Sequence, residues 1–332
     1  MRLRARLARA TAAVTATLAL AGGLSGCMTV HGEEAVVPAA TPEEAAAALD
    51  RYVDISNEAK GVNDAERNKD IEDGGLGAID FAGLTARHDV YGEDDPDFEP
   101  LAVSDTEFHI PQQAAWPKFF VADTATNQGH NRWLMFFTRD SVDEDWRVTY
   151  LSSLPAAQIP EFAEDEDGYL EDIPVGEESG LAIEPSEIST AYTVYLQSET
   201  GPFAAGPYTS ETRANRDQVN SGAQSLTEFR DSPPDLDENP DYAPLAMRLA
   251  DGSAFVMFTT QHDQRLTMAS GEVIPAESIG ELTAALMEED PEDGLEWMTL
   301  HLVGIQAAVV PQGEGEVQVI GQIKDAVAAE GH

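Results

Sequence analysis

The sequence of 332 residues is poor in cysteine and in basic residues. Its one cysteine is Cys27, so no intrachain disulfide can form, and the stability of the folded part must come from packed cores. Acidic residues number 61 against 19 basic ones, and the formal net charge is −42. A surface of this sign repels a phosphate backbone, so nucleic acid is not predicted as a partner.

Signatures of common catalytic and metal chemistry are also missing. No two of the seven histidines lie three to five residues apart, and near-matches to a calcium loop around Gly168 and Asp235 lack the final glutamate. The sequence has no Gly-x-Ser-x-Gly turn and no phosphate loop, so no metal and no cofactor are predicted. Asp80, between Ile79 and Phe81, is interpreted as an exposed acid between two buried neighbours.

The N-terminus is the most informative segment. Four arginines precede an uncharged run of small and apolar residues from Ala10 to Leu24. This pattern is typical of a secretory signal peptide, and it is shorter than the roughly 20 residues of a membrane-spanning helix. The run ends in Leu24-Ser25-Gly26-Cys27, which resembles the lipobox of bacterial lipoproteins. The resemblance implies cleavage before Cys27, a lipid on that cysteine, and an extracytoplasmic protein anchored to the cell membrane.

Loss of the predicted signal peptide makes the remaining chain more acidic still. The first 26 residues hold four basic residues and no acidic ones, so 15 basic and 61 acidic residues remain, a formal charge of −46. Anionic lipid headgroups would repel this surface. The polar, aperiodic residues after Cys27 are therefore predicted to form a spacer between the membrane and the folded part.

Internal similarity indicates a duplication. Four pairs of segments match in the same order: Ala48 and Tyr52 with Ala191 and Tyr195, Pro96–Ala102 with Pro240–Ala246, Met135–Thr138 with Met257–Thr260, and Pro155–Phe162 with Pro275–Leu282. The spacing between partners falls from 144 to 122 residues after the second pair. A tandem duplication, with about 22 residues lost from the second copy, explains both the order and this single change.

Local patterns predict the elements of each copy. Thr41, Pro42 and Glu44 form a capping box that starts a helix ending near Gly61, and a second helix runs through Tyr195. A hairpin turn is predicted at residues 250–253. A further helix is predicted over 276–289. The predicted strands span residues 98–110, 118–124, 133–138, 146–152, 245–249, 254–260, 265–269, 297–310 and 316–321.

These elements predict an α+β fold: two tandem copies of a helix packed on a curved antiparallel sheet. The predicted organisation is a signal peptide (1–26), a lipid-anchored spacer (27–40), a first α+β domain (41–162), an acidic linker (163–184) and a second α+β domain (185–332). The element order resembles the cystatin-like or NTF2-like superfamily, and the tandem layout resembles uncharacterised actinobacterial lipoproteins. The superfamily resemblance implies a cone-shaped pocket between helix and sheet.

A non-enzymatic binding module, for a small ligand or an envelope protein, is the function these observations favour. Tyr52, Trp133, Tyr195 and Trp297 are the candidate ligand-binding residues, although aromatic residues at such spacing also build cores. One alternative is an envelope hydrolase or isomerase with a carboxylate or histidine pocket. Another is the solute receptor of a transporter, which the lack of alternating strands and helices disfavours.

Overall fold

A computed structural model describes residues 35–94, 96, 98–220, 224–287 and 294–332. The predicted signal peptide, the lipobox and Cys27 lie outside the described residues, and Val36–His332 cluster as one unit. The α-helices are α1 (Pro42–Gly61), α2 (Ala65–Asn68), α3 (Gly74–Tyr91), α4 (Ile188–Ser198), α5 (Ser210–Val219) and α6 (Glu281–Ala285). The strands are β1 (Val37–Pro38), β2 (Val103–His109), β3 (Gln112–Gln113), β4 (Lys118–Thr126), β5 (Arg132–Arg139), β6 (Arg147–Leu154), β7 (Ser225–Ser232), β8 (Leu245–Arg248), β9 (Ala254–Met268), β10 (Trp297–Val310) and β11 (Gln318–Gly331). The predicted α+β class is confirmed.

Helix α1 confirms the predicted capping box. The Thr41 side chain accepts a hydrogen bond from the Glu44 amide at 3.1 Å, and the Glu44 carboxylate accepts one from the Thr41 amide at 2.8 Å. Pro42 lies in the first turn, where backbone N–H groups have no acceptor within the helix, so the N–H that proline lacks is not missed. A buried stripe then recurs at helical spacing and faces the first sheet: Ala45, Leu49, Tyr52, Ser56 and Ala59.

Helix α3 has no counterpart among the predicted elements. Its first turn is rich in glycine, the weakest helix former after proline, so the local signal is poor. Packing explains the glycines, because a Cβ on Gly75 would meet Thr259 Oγ1 at 3.1 Å and Ile305 Cγ1 at 3.2 Å. Gly74 adopts φ +56, a conformation that favours glycine. The close approach of α3 to the second sheet therefore requires glycine in the first turn of this helix.

The first sheet has the order β2-β4-β5-β6, and all its neighbours are antiparallel. The two-residue strands β1 and β3 pair beside it. Ala39 and Ala40 follow β1 and are buried, so the last residues of the predicted spacer belong to the folded unit.

The second sheet has the order β7-β9-β10-β11, and β8 also pairs with β9. The β8–β9 hairpin confirms the predicted turn, in which Gly252 adopts φ +87. Strand β9 is one continuous strand, so the prediction of two strands over 254–260 and 265–269 is wrong. Residues 261–264 are polar, yet β7 and β10 pair with both edges of this stretch and satisfy its backbone.

Two further predictions near the C-terminus need correction. Over residues 276–289, the structure has a 3₁₀ turn at Ala276–Ser278 followed by α6, which Gly280 starts as the N-cap; residues 288–293 lie outside the described part. Strand β11 continues to Gly331, beyond the predicted end at residue 321, because it pairs with β10 along almost its whole length.

Both halves of the chain contribute to the largest core. Phe136 of the first sheet stacks on Phe255 of the second, with ring centroids 6.2 Å apart. Tyr150 donates its hydroxyl proton toward the backbone carbonyls of Tyr242 and Ala243, at 3.0 and 2.9 Å. The second sheet has a further core on its other face, where Phe258 packs with residues of α4. The part of this sheet formed by β8, the first half of β9 and the second half of β10 is therefore buried on both faces.

The segment over residues 163–184 connects the two sheets. Residues 164–168 are exposed, which suits their acidic run. Ile173, Leu181 and Ile183 are buried in the core beside α4, so these parts of the segment pack against the second half. Within the described residues, no helix is both long enough and apolar enough to cross a membrane.

Candidate functional site

A cavity of about 370 Å³, here called the helix cavity, opens between α1 and α3. It is lined by Ser56, Asn57, Lys60, Asn63, Ile79, Asp80, Gly83, Leu84, Arg87, Phe98, Glu99, Leu101, Gln128, Trp133 and Asp325. Nine of these fifteen residues are polar or charged, and the other six include Phe98 and Trp133. The volume lies within the range of small-molecule sites, roughly 300 to 1,000 Å³.

Helical spacing places the polar groups of the cavity together. Ser56 and Lys60 lie one turn apart on α1, and Asp80 lies on the facing helix α3. The Lys60 Nζ is 2.6 Å from Asp80 Oδ2 and 3.6 Å from Glu72 Oε1. Lys60 therefore links the cavity wall to a carboxyl group behind it. Asp80 is half-buried on a helix and lines the cavity, so its interpretation as an exposed acid is wrong.

Glu72 is a buried carboxyl group with polar neighbours. Its Oε1 accepts a hydrogen bond from the Tyr52 hydroxyl at 2.8 Å, and its Oε2 accepts one from Asn68 Nδ2 at 2.6 Å. Burial raises the pKa of Glu72 to about 8; Lys60 opposes this rise, and Asp80 adds to it. Burial disfavours the charge on Lys60, but Glu72, Tyr52 and Asp80 outweigh it and hold the Lys60 pKa well above its ordinary value. Near neutral pH the cluster therefore favours a protonated Glu72 beside a charged Lys60.

Two other residues of the cavity wall, Asn63 and Gly83, differ in their surroundings. Asn63 is buried and donates through Nδ2 to the Gly92 carbonyl at 2.9 Å, while its Oδ1 has no hydrogen-bond partner among the described residues. A buried acceptor without a partner costs free energy. This oxygen is inaccessible to solvent, so a ligand would reach it only if the Asn63 side chain moved. Gly83 faces open space, since a Cβ placed there would have no heavy atom within 4 Å.

A second cavity, here called the arginine cleft, has a volume of about 720 Å³ and lies in the second half of the chain. It is lined by Leu196, Gln197, Arg213, Arg216, Asp217, Asn220, Thr227, Glu228, Phe229, Arg230, Asp263, Arg265, Thr299, His301 and Glu330. Helices α4 and α5 and the strands β7, β9, β10 and β11 all contribute side chains. The lining is far more polar than that of the helix cavity.

A buried ion pair lies behind the arginine cleft. Arg216 of α5 binds both carboxylate oxygens of Asp231, at 2.6 and 2.8 Å, and the His262 Nδ1 lies 2.5 Å from Asp231 Oδ1. Burial would raise the pKa of Asp231, but hydrogen bonds and charge from Arg216 and His262 outweigh it and lower the pKa to about 2. Burial lowers the pKa of His262. Asp231 therefore stays ionised.

The hydrogen-bond order Asp231, His262, Thr260 resembles an acid–base–hydroxyl triad. The His262 Nε2 lies 2.8 Å from Thr260 Oγ1. Thr260 is fully buried, however, and its hydroxyl lies 3.2 Å from Gln306 Oε1 inside the sheet. A substrate cannot reach this hydroxyl, so the chain of hydrogen bonds is structural.

The structure places the four predicted aromatic residues at two sites. Trp133 lines the helix cavity and Tyr52 lies behind it, bonded to Glu72. Tyr195 and Trp297 each lie under an arginine of the arginine cleft, with the Arg213 and Arg265 guanidinium carbons 5.9 and 4.0 Å from the ring centroids. Their roles in ligand binding remain predictions.

Sequence patterns miss most of the polar site residues. Glu72 lies in a short connection between α2 and α3, and its neighbours carry no periodic signal. Lys60 and Arg265 read as ordinary charges, because 80 residues of the chain are charged. The one relevant sequence signal is the scarcity of basic residues, which the two share with the other 17 lysines and arginines.

Comparisons with known proteins indicate a lipoprotein, the class that the N-terminal sequence also predicts. The chain is 38% identical over 308 residues to uncharacterized lipoprotein SCO2278 of Streptomyces coelicolor, covering 92% of this chain and 91% of that protein. It is 37% identical over 334 residues to an uncharacterized lipoprotein of Streptomyces avermitilis, covering 100% and 97%. Uncharacterized lipoprotein SCO6871 of S. coelicolor is 24% identical over 294 residues, covering 86% and 80%. The resemblance to actinobacterial lipoproteins is confirmed.

Residues 36–331 match the family described as Domain of unknown function (DUF8094), and the chain belongs to this family. The match covers almost the whole compact unit that begins at Val36. No solved structure matched the chain.

Proposed function

We propose that this chain is an exported lipoprotein, tethered to the cell membrane through Cys27, and that its folded part binds a small amphipathic molecule in the helix cavity. The lipobox and the lipoprotein relatives support the export and the anchor. The observation that carries the binding proposal is a cavity in which Phe98 and Trp133 line the wall together with the Lys60–Asp80 pair.

The wall chemistry defines the class of ligand. Phe98 and Trp133 offer flat apolar surfaces to an apolar body. The Lys60–Asp80 pair offers both a donor and an acceptor. A molecule with an apolar body and a small polar head matches this arrangement.

We also propose that the two halves are tandem copies of a cystatin-like or NTF2-like unit. In each half, helices precede an antiparallel sheet with four strands in chain order, β2-β4-β5-β6 and β7-β9-β10-β11, and β8 also pairs with β9. The sequence matches pair β5 with β9 instead of with β10, so this proposal is supported by the strand order and not by those matches. The superfamily resemblance implies a pocket between helix and sheet; the helix cavity lies between α1 and α3 and reaches Trp133 of β5. A solved structure of a relative that superposes on each half separately would test this proposal.

Filling the cavity tests the binding proposal. The probe is N-phenyl-1-naphthylamine, an uncharged dye that fluoresces in apolar sites, titrated into the chain from residue 27 onward with Cys27→Ser. We expect saturable fluorescence in the unmodified site and its loss in Gly83→Leu, because the leucine side chain would occupy the open space at Gly83. Trp133→Ala should weaken binding by removing one wall.

Gly83→Ala is the matched control. It adds one methyl group to the same position and should leave most of the cavity free, so the dye should still bind. Thermal unfolding of both variants checks that the fold is retained. Equal dye binding by the wild type and by a folded Gly83→Leu variant would refute binding in this cavity.

The anchor is tested separately. Cys27→Ala removes the only thiol of the chain, so the protein should move from the membrane fraction to the soluble exported fraction. Metabolic labelling with a radioactive fatty acid should mark the wild type and not the variant. A labelled Cys27→Ala protein would overturn the assignment of the lipid to this residue.

A further inference from the structure

The basic residues of the second half converge on one region of the surface. Residues 185–332 contain five arginines and one lysine. Four of these arginines line the arginine cleft. Lys324 lines an adjoining groove, to which Arg216 also contributes. This convergence occurs in a chain that would carry 61 acidic and 15 basic residues after loss of the signal peptide.

Two of the four arginines, Arg213 and Arg216, form hydrogen bonds within the protein. Arg216 is held by both carboxylate oxygens of Asp231. Arg213 donates from Nη1 to the carbonyls of Tyr195 and Leu196 at 3.1 and 2.9 Å, which places it at the C-terminal end of α4. These contacts fix two positive charges on one side of the cleft.

The other two arginines, Arg230 and Arg265, form no ion pair among the described residues. Strand register places Glu228 opposite Arg265 and Asp263 opposite Arg230, so both arginines point to the same face of the sheet. They are diagonal neighbours on β7 and β9, with Cβ atoms roughly 7–8 Å apart. Two guanidinium groups at this separation can reach one ligand.

Arg265 is also oriented for recognition. Its guanidinium lies over the Trp297 ring, with the guanidinium carbon 4.0 Å from the centroid. A guanidinium held against an aromatic face can still form paired hydrogen bonds to the two oxygens of a carboxylate or phosphate.

The cleft also contains four carboxylates, which balance the charge of its four arginines. Asp263 and Glu330 both approach His301, at 2.8 and 3.8 Å. Asp217 and Glu228 complete the acidic lining. The cleft therefore has as many carboxylates as arginines, whereas the remaining chain as a whole has about four acidic residues for each basic one.

We propose that the arginine cleft binds a ligand that carries an oxyanion, a carboxylate or a phosphate, through Arg230 and Arg265. The proposal is independent of the helix cavity, which lies in the first half. The oxyanion can belong to a free small molecule or to a lipid headgroup near the anchor, and the two sources share this recognition chemistry.

Isothermal titration with citrate and with pyrophosphate tests the proposal on the chain from residue 27 onward with Cys27→Ser. We expect at least one of these anions to bind at concentrations below about 10 mM, more weakly at higher salt. Arg230→Gln and Arg265→Gln should each weaken binding by about tenfold or more, the usual effect of losing charge-assisted hydrogen bonds.

Arg248→Gln is the control, because Arg248 is the one arginine of the second half outside the cleft. It removes the same charge and should leave the affinity within about twofold, since distant surface charges are screened. Arg265→Lys separates geometry from charge, since lysine cannot form the paired hydrogen bonds and should bind more weakly than arginine.

Vesicles distinguish the two sources of the oxyanion. Cosedimentation with phosphatidylglycerol vesicles, and not with phosphatidylcholine vesicles, that is lost in Arg230→Gln would assign the site to a headgroup. Binding of the soluble anions alone would assign it to a free ligand. The proposal is overturned if neither anion nor vesicle binds, or if Arg248→Gln weakens binding as much as Arg230→Gln and Arg265→Gln do.

Discussion

Each half of this protein contains a buried carboxyl group behind a cavity, and the two groups differ in charge. Glu72 lies behind the helix cavity, and burial raises its pKa to about 8. Asp231 lies behind the arginine cleft, and its pKa falls to about 2 even though burial acts in the opposite direction. Neither side chain is exposed to solvent, so burial alone cannot explain the difference.

The geometry of the cationic partner decides the charge. The Lys60 ammonium lies 3.6 Å from Glu72 and is shared with Asp80, whose own charge disfavours ionisation of Glu72. The Arg216 guanidinium places one N–H on each oxygen of Asp231. A planar fork can satisfy both carboxylate oxygens at once, which a shared ammonium cannot do. A buried carboxylate stays ionised here only where such a partner is dedicated to it.

Removing the dedicated partner should give the largest effect. Arg216→Met leaves Asp231 buried without its ion pair, and we expect a loss of about 3–5 kcal/mol in the free energy of unfolding, measured by urea titration at neutral pH. Arg230→Met is the control: Arg230 is exposed and has no ion pair among the described residues, so its removal should change stability by less than about 0.5 kcal/mol. Similar losses in the two variants would contradict the role of Arg216.

Glu72 should make the protein less stable as the pH rises. Its folded-state pKa lies above the ordinary value of 4.5, so the folded protein binds more protons between about pH 4.5 and 8. The contribution is complete below pH 4.5 and is lost as the pH approaches 8. Each pH unit is worth about 1.4 kcal/mol, or roughly 3 kcal/mol between pH 5 and 7.

Glu72→Gln removes this titration while it keeps the shape of the side chain. The difference in unfolding free energy between the wild type and the variant should therefore change steadily across pH 5–7 and favour the wild type at the lower pH. Glu166→Gln, at an exposed acid in the segment between the sheets, should show no such trend. A flat difference for Glu72→Gln would mean that Glu72 is already ionised at pH 5.

Asp231 should give a smaller effect with the opposite sign. Its folded-state pKa lies below the ordinary value of 3.8, so its stabilising contribution is present above that pH and is lost as the pH falls toward 2. The advantage of the wild type over Asp231→Asn should shrink by about 2 kcal/mol over this range. Acid unfolding followed by circular dichroism measures it, and a constant difference would contradict the lowered pKa.

The smallest expected effect concerns two glycines of α3. Gly83→Ala should stabilise the protein by up to about 1 kcal/mol, because alanine is the better helix former and its methyl group enters open space. Gly75→Ala should destabilise it instead, since the methyl group would press on Thr259 and Ile305 of the second sheet. Melting temperatures of the two variants that shift in the same direction would show that α3 does not pack as described.

Local signals determined several elements of this fold from the sequence alone. The capping box at Thr41 and Glu44 uses only atoms within one helical turn, so its pattern is visible without tertiary contacts. The β8–β9 hairpin depends on Gly252 at a positive φ, and β10 shows a long run of β-forming residues bounded by turn-formers. The predicted lipobox around Cys27 is likewise a local motif.

Tertiary structure alone decided the rest, because the forces involved join residues far apart in the chain. Glycine in the first turn of α3 opposes a helix locally, and only the approach of the second sheet to Gly75 accounts for it. The polar middle of β9 becomes strand because β7 and β10 satisfy its backbone on both sides. The opposite charges of Glu72 and Asp231 follow from where Lys60 and Arg216 are placed, and no pattern in one chain of 61 acidic residues could single these two out.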